Sequence, residues 1–192
     1  DRWALAGDAA AERRREDIVA CTLLKADYLH LDVPDCIYRL DPAQGTPLYC
    51  SDDDIFGEIA YGEAQLVDAI AGQLALLPAH GDLLAPLTAG HHVDHLLGRA
   101  AAELVRLEGL WYYEDYPYAQ QRGTLHRALG DDLRSWRPDT LPVSPAARQA
   151  KFDAIWAFRS QLSTFFAGRE DMEERVGSYM DEVRGERVWC RA

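Results

Sequence analysis

Apolar residues in this chain follow two patterns, one with the period of a helix and one of short continuous runs. Residues 11–25 set Ile18, Cys21 and Leu24 on one side among Arg and Glu, which predicts a helix. Residues 26–31 read as a short strand closed by Pro34 and Asp35, and 37–40 as a second extended piece. Two prolines, a glycine and three consecutive aspartates make 41–54 a loop. A long helix follows over 56–77, with Ile59, Leu66, Ile70, Leu74 and Leu77 on one stripe. Residues 83–87 are a buried strand ended by its proline. Residues 93–107 are a helix, with Val93, Leu96, Leu97, Ala100 and Leu104 inward and Arg99, Glu103 and Arg106 outward. Gly109 ends that helix, and 110–113 form another strand. A short strand over 122–127, a loop over 137–145 and helices over 147–166 and 170–183 complete the chain. The first of these helices buries Phe152, Ile155, Trp156, Leu162 and Phe166, and the absence of a low-complexity linker makes 1–192 one domain.

Helices alternating with strands predict an α/β fold with a mostly parallel sheet covered by helices. Ligands in such sheets bind beyond the carboxyl ends of the strands. Two polar clusters fall there. One is Gly90-His91-His92-Val93-Asp94-His95, after the strand at 83–87. The other is Glu114-Asp115-Tyr116, after the strand at 110–113.

Bulk properties narrow the reading. An apolar content of 48% over 192 residues supports a real core. A net charge of -12 excludes a surface built to neutralise phosphates, so no nucleic-acid partner is expected. No apolar run is long enough for a membrane span. The four cysteines show no CxxC spacing, which fits a reduced, cytoplasmic protein.

His92 and His95 are three apart at a helix start, so they share one face. One can hold a metal while the other meets a substrate, with Asp94 available to fix a tautomer. A polar helix start with Asp94 as its cap is the structural alternative. His91 points elsewhere, and His30, His80 and His126 are isolated. Asp52-Asp53-Asp54 reads first as a helix start.

Three blocks resemble the LmbE-like (PIG-L) family of N-acetylglucosaminyl deacetylases. They are Arg13-Arg14-Arg15-Glu16 leading to Leu31-Asp32-Val33-Pro34-Asp35-Cys36-Ile37-Tyr38-Arg39, then Pro86-Leu87 with Gly90 to His95, then Tyr113 to Ala119. Lys151, Ala154 and Ser160-Gln161 extend the likeness. The resemblance implies a Rossmann-like fold, one Zn²⁺ and hydrolysis of an N-acetyl group on a small amino-sugar substrate. It implies His95 as a zinc ligand, His92 as oxyanion stabiliser and proton donor, and Asp94 as the group that orients His92; a nearby carboxylate also raises a histidine pKa, so Asp94 would keep His92 charged. Arg13, within the Arg13–Arg15 run, and Asp35 would hold sugar hydroxyls. Glu114 and Tyr116 would line the substrate pocket.

The family's His-Pro-Asp-Asp motif, which supplies two further zinc ligands and the general base, does not occur in these residues. The resemblance therefore implies an amino-terminally incomplete copy lacking a first strand and helix, with exposed edges that favour self-association or a homo-oligomer. A degenerate binding or structural homologue of the same fold is the alternative.

Overall fold

The computed structural model describes residues 6–78 and 80–192. The chain forms two compact units. One runs through Asp32 and resumes over Thr140–Glu186; the other is Val33–Asp139 with Arg187–Ala192.

The second unit carries both polar clusters. After α1 (Ala6–Leu24) of the first unit, it begins with a loop and a 3-10 turn at Cys36–Tyr38. Helix α2 (Asp52–Ile55) is capped by Ser51, whose hydroxyl accepts from the Asp54 amide while Asp54 returns a bond to the Ser51 amide. The aspartate run thus builds a capping box. Helix α3 (Ala64–Leu74), strand β1 (Leu83–Pro86), helix α4 (Val93–Val105) and strand β2 (Leu110–Tyr113) follow. Helix α5 (Thr124–Leu129) and strand β3 (Trp136–Leu141) come next. Helices α6 (Pro145–Ala157), α7 (Arg159–Leu162) and α8 (Arg169–Val183) precede strand β4 (Glu186–Arg191).

The sheet order is β1-β2-β4-β3. β1 pairs parallel to β2, with Leu83 opposite Leu110 and Pro86 opposite Tyr113. β2 pairs antiparallel to β4. The fold is α/β, and its sheet is mixed where a mostly parallel one was expected. The difference comes from β4, which the sequence reading left out. Pro86 is tolerated in β1 because β1 is an edge strand and needs no ladder donor on its open side.

Other boundaries also moved. Residues 26–31 form no strand, since the chain between α1 and the 3-10 turn stays irregular. Leu40 keeps one isolated bridge, to Pro47. The helix expected over 56–77 is regular only from Ala64. Residues 122–127 lie mostly in α5, and the expected loop at 137–145 is largely β3.

The core under β1 and β2 gathers Ala85, Leu87, Ala102, Leu110, Tyr112, Leu129 and Trp136. Each large apolar side chain buried here contributes about 1.5–3 kcal/mol. Val93 and Leu97 point inward as expected, whereas Arg99, expected on the outer face, packs inside and Leu104, expected inside, faces out. Leu104 is 62% exposed, and the Arg99 guanidinium lies over the Tyr112 and Trp136 rings. It donates to the Leu87 and Ala128 carbonyls and pairs with Glu103, which accepts from the Tyr112 hydroxyl. A single planar cation thereby ties β1, α4, β2 and α5 together.

In the first unit α6 packs against α1 and α8. Glu16, buried on α1, accepts from the Ser160 amide at 2.7 Å and the Ser160 hydroxyl at 2.6 Å. All four cysteines are free.

Candidate functional site

The loop from β1 to α4 brings the first cluster into place. Leu87 extends the parallel ladder by donating to the Tyr113 carbonyl. Thr88 then adopts φ 66° and His91 φ 57°, two left-handed residues that reverse the chain. The Ala89 amide donates to Asp115 Oδ2 at 2.9 Å. The loop is therefore fixed from the end of β2.

Asp115 has a second charge contact. His95 Nδ1 lies 2.5 Å from Asp115 Oδ1, and the Asp115 side chain is fully buried. Nδ1 is turned to that carboxylate, which leaves Nε2 as the nitrogen that can offer a lone pair to a metal. This carboxylate–histidine pairing is the arrangement that orients metal-ligating imidazoles. The sequence put Asp115 in the second polar cluster but gave the roles there to its neighbours Glu114 and Tyr116. The Glu114 carboxylate, expected to line a substrate pocket, is instead held by Arg187 Nε at 2.6 Å and Trp189 Nε1 at 2.8 Å, both on β4. Its side chain is 3% exposed.

His92 is the N-cap of α4: its Nδ1 accepts from the Asp94 amide at 3.2 Å. A neutral His92 then carries its proton on Nε2. Phe56 stands edge-on to the imidazole at 5.5 Å, Tyr118 packs on Phe56, and the His95 ring is 5.5 Å from His92. Burial pushes the His92 pKa down, against the raising effect of Asp94. The Asp94 carboxylate was expected to orient a charged His92. That carboxylate faces the loop at 33–39. Its Oδ1 accepts from Arg39 Nη1 at 2.5 Å, and its Oδ2 from the Cys36 amide at 3.2 Å. The hydrogen bond between the two residues runs from the Asp94 amide to His92 Nδ1, and a carboxylate oxygen of Asp94 lies within 4.8 Å of a ring nitrogen.

Arg39 is the centre of a buried chain of charges. Its Nε lies 2.5 Å from Glu63 Oε1, with side chains 5% and 3% exposed. Glu63 also accepts from the Tyr49 hydroxyl at 2.5 Å, and that hydroxyl accepts from the Ala60 amide. Burial and the Glu63 contact push the Tyr49 pKa up to about 12. Arg39 closed one of the blocks that carry the resemblance but was given no role, and Glu63 was not picked out.

Asp35, Tyr116 and Arg13 are the remaining expected site residues. Asp35 caps the 3-10 turn, accepting from the Ile37 amide at 3.3 Å. Tyr116 is half-buried and precedes a cis peptide to Pro117. Arg13 lies half-buried on α1, in the first unit.

The fold matches solved structures of teicoplanin-pathway and A40926 pseudoaglycone deacetylases. A zinc-inhibited form of a teicoplanin deacetylase aligns with TM-score 0.77, covering 96% of this chain and 76% of that one, at 23% identity. A triple mutant of a teicoplanin-pathway deacetylase gives TM-score 0.70 over 99% and 76%, at 25% identity. An A40926 pseudoaglycone deacetylase gives 0.67 over 98% and 74%, at 26% identity. The structural neighbours are deacetylases. No protein-family profile and no curated protein sequence matches the chain.

The chemistry of the donors decides how far these residues fit zinc. His95 fits, because Asp115 occupies Nδ1 and leaves Nε2. Among the described residues His95 belongs to no group of three close ligand atoms; the one such group is Cys36, His92 and Asp94. The fit is therefore to one nitrogen.

Gly90 sets the packing beside His92. A Cβ there would lie 2.5 Å from the Tyr118 ring. Gly90→Ala is expected to cost about 1–3 kcal/mol through overpacking, read as a lower urea midpoint with unchanged slope. A variant as stable as the wild type would show that Tyr118 moves freely.

Proposed function

We propose that residues 1–192 carry the site of an LmbE-like, zinc-dependent N-deacetylase that hydrolyses the N-acyl group of an amino sugar or its conjugate. The observation that carries the reading is the His95–Asp115 pair beside His92, at the carboxyl ends of β1 and β2. The deacetylase neighbours, including a teicoplanin complex, make a glycoside-borne N-acyl group the substrate class to try first.

His95 Nε2 would hold the zinc, with Asp115 fixing the ring. A bound zinc ion supplies electrophilic assistance to the acyl carbonyl and to water. His92, neutral at pH 7, offers Nε2–H as a hydrogen-bond donor toward the developing oxyanion. This job needs no charge on the ring. Phe56 and Tyr118 exclude water from one side of it. Asp94 acts at one remove, by holding Arg39 and the loop at 33–39. In the reaction water adds to the carbonyl, the C–N bond breaks, and a carboxylic acid and a free amine leave.

The test is incubation of the zinc-supplied protein with an N-acetylglucosamine conjugate. Acetate and free amine are expected in equal amounts. Neither product, from folded protein with zinc bound, would overturn the hydrolase reading and favour the non-catalytic homologue. His92→Asn preserves a good helix cap and removes the Nε2 donor. We expect kcat to fall about 10²–10³-fold with zinc content unchanged. Zinc loss equal to that in His95→Ala would refute this division of roles.

A further inference from the structure

Cys36 has no part in the proposed hydrolysis, yet it is fully buried against the same histidine. Ligand atoms of Cys36, His92 and Asp94 all lie within 4.8 Å of one another. They come from two segments, the 3-10 turn and the first turn of α4, and both belong to the second unit. We propose that these three residues form an inhibitory site for a soft divalent cation, separate from the His95 nitrogen, which takes Cd²⁺ or excess Zn²⁺ and withdraws His92 from the reaction. The inference of inhibition rests on the deacetylase reading; the binding itself does not.

The donor set suits a thiophilic ion. One sulfur, one imidazole nitrogen and one carboxylate oxygen leave a fourth position for water in a tetrahedral shell. Hard cations such as Mg²⁺ prefer six oxygens and would find one or two. Binding forms a metal–sulfur bond and breaks the Cys36 S–H bond, with the proton released to solvent. The cation thus replaces one proton and adds one net positive charge.

The surroundings accept that added charge. Asp35 Oδ1 lies 3.5 Å from Cys36 Sγ, and Asp94 holds the Cys36 amide. These carboxylates, with burial, oppose a bare thiolate at this position. The same negative field favours a cation bound to the sulfur. Arg39 opposes it, because it already occupies Asp94 Oδ1. Asp94 therefore contributes through its remaining lone pairs, and affinity should fall short of a structural zinc site. The Asp94 side chain is 29% exposed and His92 is half-buried, so the ion enters from α4 and meets the sulfur last. Binding takes a His92 lone pair, so the ring either gives up the Asp94 amide at Nδ1 or moves its proton off Nε2, and either change disturbs the donor assigned to the reaction.

The test titrates Cd²⁺ into the 192-residue chain and reads the ultraviolet thiolate-to-cadmium charge-transfer band. Cys21→Ser and Cys50→Ser form the background, since these thiols are half-buried and exposed. One equivalent of Cd²⁺ should generate the band. Cys36→Ser should abolish it. His95→Ala should leave it intact. His92→Asn, which keeps the helix cap and the thiol, should retain the band at saturation but weaken Cd²⁺ binding about tenfold or more. A band that survives Cys36→Ser, vanishes in His95→Ala, or binds equally tightly in His92→Asn would overturn the proposal. In turnover assays, excess Zn²⁺ should inhibit the zinc-supplied protein, and Cys36→Ser should need at least about tenfold more Zn²⁺ for the same fractional inhibition. Equal sensitivity would overturn the inhibitory role. If no turnover occurs at all, the hydrolase reading fails, and the cadmium titration decides the site by itself.

Discussion

Arg39→Ala is expected to lower the unfolding free energy by about 3–5 kcal/mol, the largest effect of any single substitution considered for this fold. The guanidinium is the only described cation in contact with Glu63, and the Glu63 side chain is 3% exposed. Removing Arg39 strands that carboxylate in the core and leaves the Asp94 carboxylate with the Cys36 amide. Tyr49 would still donate to Glu63, which keeps the loss finite. Urea denaturation reads the change as a midpoint shift at constant slope. Arg39→Met combined with Glu63→Leu should recover much of it, because an apolar pair of similar volume no longer buries an unpaired charge. A double variant as unstable as Arg39→Ala would mean that the loss comes from the Asp94 side. A single variant within about 0.5 kcal/mol of wild type, the range usual for surface substitutions, would mean that the network does not form.

The second large effect belongs to the pair at the strand ends. His95→Ala should remove bound zinc and hydrolysis together. Asp115→Asn is the finer experiment. An amide in place of the carboxylate can still accept from the Ala89 amide, so the loop should hold. It no longer holds His95 Nδ1 with a negative charge, and the ring can then turn or change tautomer. Loss of such an outer partner typically lowers metal affinity or activity by about 10–100-fold. Zinc dialysis and kcat/KM should fall in parallel. If Asp115→Asn binds zinc as wild type does, His95 is held by something other than this contact, and the proposed ligand role loses its support.

The elements best legible in the sequence were those with one strong period. Helix α4 and strands β1 and β2 lie within two residues of where the apolar pattern set them. Strand β4 was missed although Val188 and Cys190 are buried in alternation, because six residues after a long helix look like a frayed end. Residues 26–31 look like a strand locally, but no neighbour offers them a ladder. Within the site, the histidines were legible from their spacing. Their partners were not. Strand parity held the usable clue for Glu114, which continues the inward series Leu110, Tyr112 and so was bound to be buried and paired. Arg39 and Asp94 are 55 residues apart, and nothing local in either segment announces the other.

The two left-handed residues of the β1–α4 loop bear on how this protein would change under selection. Thr88 and His91 hold φ 66° and 57°, conformations that cost a residue with a Cβ about 1–2 kcal/mol each. Asparagine or glycine would relax either position at once. A library screened for heat resistance alone would be drawn to these two codons. One screened for turnover would resist change at Thr88, where the side chain also meets Arg99 and the backbone aims the residues that follow. Opposite drift at one short loop under the two screens would mark it as the place where durability and catalysis compete.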